Sequence, residues 1–277
     1  MKNMNLIHLE RIIVGNMKIA AYQFAVSGCM SENFNKMKSA VIQAAEKDVR
    51  LLVFPECALT GYPPYDISKA SDVDFEMVSL YQEEFKYLSS KYNMYIVVGT
   101  ITRQDMKIYN SAVIFSPEKE NSVYHKRALW GWDRDNFCVG KEKGIFVIDG
   151  IKIGLRICYE VRFPEYFREL YIENTDLNII LFYDQSEKDD FIRYSMIKSH
   201  ILTRAVENTC HILTVDTIYP YQTAPTALFN KSGRVLQELE RNITGMLYYE
   251  LDNFNYDFGE KGRKQISDYL LKNGSFS

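Results

Sequence analysis

No stretch of this chain approaches the ~20 consecutive apolar residues that a membrane-spanning helix requires. No block of five or more like charges occurs either: 33 basic and 36 acidic residues leave a formal net charge of −3, with the signs interspersed. Nucleic acid and anionic membrane, which call for clustered positive charge, are therefore not expected as partners. Cysteine is sparse. Cys29, Cys57, Cys138, Cys158 and Cys210 include no C-x-x-C pair, and an odd, dispersed set points away from a disulfide framework and towards a reducing, cytoplasmic compartment. The sequons at Asn230 and Asn242 then read as accidental. Familiar catalytic signatures are missing too: there is no G-x-G-x-x-G, G-x-x-x-x-G-K-[ST], H-E-x-x-H or G-x-S-x-G. Of the four histidines, His8 precedes the first clear strand and His211 lies in an apolar run. His125 and His200 stay open, but the papain and caspase signatures around a Cys–His pair are absent.

Residues 1–16 do not read as a secretory signal, because His8, Glu10 and Arg11 interrupt the apolar residues and no small-residue cleavage site comes after them. Met17 opens "MKIAAYQFA", so residues 1–16 read as an upstream mis-start ahead of a start at Met17 or as a natural extension, dispensable in either case.

From Met17 onward, strand and helix alternate. "KIAAYQF" and the wholly apolar "LLVF" read as strands, the second of the kind buried on both faces. Ser31 is placed as the cap of a helix carrying Phe34, Met37, Val41, Ile42 and Ala45. A second helix, from about Asp72 to Tyr92, carries Val73, Met77, Leu80, Tyr81, Phe85 and Leu88 on one face. Asp149-Gly150 turns a hairpin within "GIFVIDGIKIGLRIC", and Pro164 opens a further helix. "LNIILFY", a helix over 188–208, "CHILTVD", a hairpin at "NKSG" and a last strand over 245–251 complete the order. Helices flanking strands that include antiparallel hairpins imply a layered α/β sandwich. With no repeat or composition break, 17–277 is read as one domain, ending in a tail over 253–277.

Three reactive residues stand at the ends of apolar strands, where layered α/β folds place their sites. Glu56, in "LLVFPECALTGYP", comes after a buried strand and a proline; burial would raise its pKa and make it a usable base. Tyr62 belongs to the loop beyond it. Lys126, in "SVYHKRALWGWD", is followed by Trp130 and Trp132, as though aromatics walled a pocket around it. Cys158, in "GLRICYEVRFPE", precedes Glu160, Arg162 and a helix, so a turn there can aim N–H groups at an oxyanion. Alone, each has an ordinary reading: a loop glutamate, a solvated lysine, an inert core thiol.

Together, "FPECALTGYP", "HKRALWGWD" and "GLRICYEVRFPE", with Lys126 70 residues after Glu56 and Cys158 32 further on, resemble the glutamate, lysine and cysteine motifs of the nitrilase superfamily of carbon–nitrogen hydrolases. The resemblance runs from about Met17 to Asp252 and includes "LTRAVEN". It implies a four-layer α-β-β-α sandwich and an amidase-like hydrolase of small C–N substrates. Glu56 would be the general base, Lys126 the oxyanion-stabilising cation and Cys158 the nucleophile. The Tyr159 backbone N–H would serve the oxyanion, Tyr62 and Glu160 would stand nearby, and no metal or organic cofactor would be needed. Many members carry a second glutamate where this chain has Asp133, whose expected place is within direct or one-water reach of Lys126. The resemblance also implies a homodimer or larger homo-oligomer, with the tail in the interface. Nitrile or N-carbamoyl-amine hydrolysis, or a non-catalytic binding role on the same fold, are the other readings.

Overall fold

The computed structural model describes residues 16–252 and 254–273; the expected extension, Asn16 apart, lies outside them. In chain order the elements are β1 (Met17–Gln23), α1 (Met30–Ala45), β2 (Leu51–Val53), α2 (Phe75–Tyr92), β3 (Tyr95–Gln104), β4 (Lys107–Phe115), β5 (Ser122–His125), α3 (Asp133–Asn136), β6 (Ile145–Ile148) and β7 (Ile151–Ile157). Next come α4 (Pro164–Ile172), β8 (Leu177–Leu181), β9 (Gln185–Ser186), α5 (Phe191–Glu207), β10 (His211–Val215), β11 (Tyr221–Gln222), β12 (Ala227–Phe229), β13 (Val235–Glu238), β14 (Gly245–Leu251) and α6 (Phe258–Asn273).

Two six-stranded sheets pack face to face, in the orders β14-β1-β2-β3-β4-β5 and β13-β12-β10-β8-β7-β6. The two-residue periodicity of strands explains the layering. Ile19, Ala21, Leu51, Val53, Tyr95 and Val97 of the first sheet meet Ile153, Leu155, Ile157, Leu177, Ile179 and Leu181 of the second. The alternate residues Ala20, Leu52, Ile96 and Val98 turn outward onto Phe34, Met37 and Val41 of α1 and Phe85 and Leu88 of α2. Ile180, Phe182 and Ile212 likewise face Phe167 of α4 and Ile197, Ile201 and Ala205 of α5. The result is the expected α-β-β-α sandwich. Central strands apolar on both faces are what such a sandwich demands, since each face is covered.

Several local expectations are corrected. Ser31 does not cap α1: the N-cap is Cys29, without a side-chain hydrogen bond. Asn33 sets the start instead, accepting from the Ser27 N–H at 3.1 Å and donating to the Ser27 carbonyl at 2.6 Å. Helix α2 begins at Phe75, capped by Asp74, and buries Val78, Phe85 and Leu88; Leu80, expected inward, is 55% exposed. The tail contains α6, whose Glu260 accepts the Ser232 hydroxyl at 2.9 Å. Among the described residues no helix is long and apolar enough to cross a membrane.

The topology brings one end of each sheet together. β1, β2 and β3 run parallel, and β5, antiparallel to β4, runs the same way as β3. In the other sheet β7, β8 and β10 are parallel. The exits of β2 and β8 are joined across the sandwich by the Glu56 N–H donating to the Phe182 carbonyl at 3.2 Å. That contact brings the Pro55-Glu56 turn against β3, where only glycine fits: a Cβ on Gly99 would stand 2.0 Å from the Pro55 carbonyl oxygen and 2.7 Å from the Glu56 Cα. Both obstacles are backbone, so neither can rotate away. Gly99→Ala should therefore lose about 1–3 kcal/mol of stability, read as a drop in Tm on thermal melting. An unchanged Tm would mean that the turn is free to move.

Candidate active site

Glu56 stands just beyond β2 and is 1% exposed. Its carboxylate is gripped from three sides: Oε1 accepts from Lys126 Nζ at 2.8 Å and Asn110 Nδ2 at 2.7 Å, and Oε2 from the Tyr183 N–H at 2.9 Å. Lys126 lies just past β5 and is 2% exposed. Its ammonium is shared, reaching Asp133 Oδ2 at 2.8 Å on the other side. The Tyr62 hydroxyl donates to Asp133 Oδ1 at 2.7 Å. One cation thus lies between two buried carboxylates, each further satisfied by a neutral donor. Asp133, with its shorter side chain, makes direct contact because α3 brings its backbone to the site: the Asp133 N–H bonds the Trp130 carbonyl at 3.1 Å.

Burial governs the electrostatics. Desolvation raises Glu56 above the ordinary glutamate range; Lys126 and the Asn110 hydrogen bond oppose this, while Asp133 adds to it. A cation divided between two acids does not fully compensate the burial of Glu56. Desolvation alone would lower Lys126, but Glu56 and Asp133 together outweigh it and hold the ammonium well above the usual lysine range. Burial also raises Tyr62, against the pull of Lys126, so it remains a phenol that can donate to Asp133.

Cys158 is partly exposed at the end of β7. Its φ is 44°, the left-handed region that a residue with a Cβ enters only under constraint, at a cost of order 1–3 kcal/mol. Desolvation, with Glu56 adding, pushes its thiol well above the usual range, and Lys126 opposes them; the resting sulfur is protonated. Glu56 and Lys126 thus both lie within electrostatic reach of it. A short 3-10 turn over Cys158–Arg162 comes next and carries Tyr159, whose ring stacks on Trp130 with centroids 5.9 Å apart.

Glu160 holds the two loops together. Fully buried, it accepts from the Tyr124 hydroxyl and the Arg127 N–H at 2.7 Å each, and more loosely from the Ala128 N–H at 3.4 Å, all on Oε1. Its Oε2 accepts from the Ile157 N–H at 2.7 Å. The carboxylate ties the residue before Cys158 to the residue after Lys126, and its burial makes Glu160 a positioning group. Trp130 and Trp132 do not wall the lysine as expected; they are 61% and 51% exposed. Tyr62 and Tyr183 close over the acids instead, stacked 4.8 Å apart. Asn110 and Tyr183 escaped the sequence reading: one looks like any polar residue of a strand, and the other acts through its backbone. Among the described residues no cluster of three or more His, Cys, Asp or Glu side chains could hold a metal ion.

The family model for carbon–nitrogen hydrolases matches residues 18–255. The 2-oxoglutaramate amidase of Bacillus subtilis (strain 168) is 30% identical over 201 residues, covering 70% of this chain and 73% of that protein. An omega-amidase of Xenopus tropicalis is 26% identical over 53% of this chain and 56% of its own. Among solved structures, a mutant of the Nesterenkonia sp. AN1 amidase in complex with butyramide superposes with a TM-score of 0.77 at 20% identity, over 93% of this chain and 96% of that one.

Glu160→Gln tests the positioning role. It sets an NH₂ group against buried donors, so it should cost about 1–3 kcal/mol, or roughly 2–4 °C of Tm per kcal/mol. A variant with the parent's Tm and activity would remove the role assigned to Glu160.

Proposed function

The chain belongs to the carbon–nitrogen hydrolase family, and from that premise we propose that it cleaves the C–N bond of small amides through a thioester on Cys158. The observation that carries this reading is the buried Glu56–Lys126–Asp133 array within electrostatic reach of a strained thiol at a strand end. Similarity to a 2-oxoglutaramate amidase and an omega-amidase favours amides over nitriles, as does the butyramide held by the Nesterenkonia enzyme.

The charges dictate the steps. A thiol raised by burial needs a base, and Glu56, itself raised, can take the proton as sulfur attacks the carbonyl carbon. The carbonyl oxygen becomes an oxyanion. Lysine has three N–H donors; with two directed at Glu56 and Asp133, one is left for that oxygen. The Tyr159 N–H is the second donor, such a group being worth ~3 kcal/mol in the transition state. Glu56 returns its proton to the nitrogen, the C–N bond breaks and ammonia or an amine departs. Water, deprotonated by Glu56, then attacks the thioester, releasing the carboxylic acid and restoring the thiol. Asp133 and Tyr62 keep Lys126 charged and oriented. No step calls for a cofactor.

Cys158→Ala should abolish ammonia release from acetamide or butyramide while leaving the melting curve intact, and Cys158→Ser should be nearly as inactive because a hydroxyl is far harder to deprotonate. Persistent turnover by the alanine variant would end the mechanism. The pH profile supplies a second check. Protonated Glu56 cannot accept the thiol proton, so kcat/KM should fall on acidification with a midpoint above the 4.5 of an ordinary glutamate; a limb at or below that value would point to another base.

For assembly, a second copy of the chain is the proposed partner. Phe258 and Ile266 of α6 are 96% and 64% exposed, and burying them against a twin removes that apolar surface from water. Sedimentation should give twice the 32.3 kDa chain mass; a monomer at micromolar concentration would rule this out.

A further inference from the structure

Asp216 plays no part in the chemistry above, yet this fully buried acid stands one residue past β10 and holds the exit of β8. Three successive N–H groups leave that exit on alternate sides. Phe182 donates to the Val215 carbonyl at 2.8 Å, Tyr183 to Glu56 Oε2 at 2.9 Å, and Asp184 to Asp216 Oδ1 at 2.9 Å. The alternation is that of a strand in a ladder, with β10 on one side and Glu56 on the other.

β10 itself ends at Val215. Beyond it the chain turns towards the other sheet, where the Thr217 hydroxyl donates to the Phe24 carbonyl at 3.2 Å and accepts the Val26 N–H at 3.3 Å. The Asp216 side chain therefore stands in for the next carbonyl of the ladder and extends it by one rung. It is not free to swing. Its Oδ2 accepts the Ala224 N–H at 3.0 Å, and its own N–H donates to Thr226 Oγ1 at 3.0 Å. The Thr223 N–H closes the arrangement on the Asp184 carbonyl at 3.0 Å. Without Asp216 the buried Asp184 N–H is orphaned, which is costly enough to turn its peptide towards another partner. The next N–H back along the chain is the one on Glu56.

We propose that Asp216 is a positioning residue for the base, holding the β8 exit so that the Tyr183 N–H stays on Glu56. The proposal rests on the reading of Glu56 as the base, but the proton affinity of Glu56 can be measured without turnover. An N–H donated to a carboxylate favours its charged form, so losing that donor should raise the midpoint at which Glu56 protonates. In Cys158→Ala protein, infrared titration of the carboxyl bands, with Glu56 identified by its loss in Glu56→Gln, reads this directly. Asp216→Ala should raise the midpoint by about one pH unit, the scale of one hydrogen bond to a charged group. Asp216→Leu, which fills the space without an acceptor, should do the same and carries the test if the alanine variant does not fold. Loss of a nearby negative charge alone would lower the midpoint, so the sign separates positioning from simple electrostatics. Thr214→Val, which cuts the bond from the Thr214 hydroxyl to the Pro225 carbonyl at 2.6 Å in the same strand, should lower Tm and leave the midpoint in place. An unmoved or lowered midpoint in the folded Asp216 variants, or an equal rise in Thr214→Val, would overturn the proposal. With Cys158 restored, the acid limb of kcat/KM should rise by the same amount as the infrared midpoint. A raised midpoint in a protein that hydrolyses no amide would sink the amidase reading while supporting the role of Asp216. Amide hydrolysis with a fixed midpoint would do the reverse.

Discussion

One ammonium between two buried carboxylates is the constraint on which the rest of the structure depends. Taking Glu56, Lys126 and Asp133 out of water costs several kcal/mol per charge, and their mutual attraction offsets that only if every remaining lone pair and proton finds a partner. Asn110 and Tyr183 satisfy Glu56, and Tyr62 satisfies Asp133. Burial keeps the resting Cys158 thiol protonated, with Glu56 adding and Lys126 opposing. In the proposed mechanism the raised Glu56 is the base that takes this proton once a substrate carbonyl is there to receive the sulfur.

The fold meets this constraint by converging strand ends from both sheets. No single strand could supply the array: Glu56 lies past β2, Lys126 past β5, Cys158 past β7 and Tyr183 past β8. Side chains from different strands can be held to tenths of an ångström only if the loops cannot drift, and two devices prevent that. Gly99 lets the Glu56 turn lie directly on β3, and Glu160 ties the residues flanking Lys126 and Cys158 to one carboxylate. Buried hydrogen bonds of this kind have no competing water, so the loops gain rigidity from them.

The sequence made the strands and the three candidate residues at their ends legible for a physical reason. Buried strands must be apolar, and a charged or nucleophilic residue at the end of such a run is a local anomaly that one chain can display. "LLVFPE" and "GLRICYE" are both anomalies of that type. Helix faces were less legible. Val78, Phe85 and Leu88 of α2 are buried while Leu80 is not, because the choice between neighbouring faces was made by α1, whose Phe34 stacks on Tyr81 at 4.4 Å and meets Phe85 at 5.2 Å. Asn110, Gly99 and Tyr183 were illegible because their roles exist only across elements. The aromatics after Lys126 misled for the converse reason: Trp130 finds its partner in Tyr159, which lies beyond Cys158 in the chain.

The strained backbone at Cys158 answers to the same constraint. A positive φ at a residue with a Cβ persists only where the surroundings over-determine it, and here the restraint comes from the residue on one side and the turn on the other. The Ile157 N–H is held by Glu160, and the Phe163 N–H closes back on the Glu160 carbonyl at 3.1 Å. One residue therefore fixes both ends of the turn, its side chain holding the start and its carbonyl the finish. Released, the turn could relax towards an ordinary extended exit from β7, which would carry the sulfur away from Glu56 and Lys126. The cost of holding Cys158 in this conformation and the cost of burying Glu56 thus serve one geometry, in which the Glu56–Lys126 pair and the thiol gather at the converging strand ends within electrostatic reach of one another.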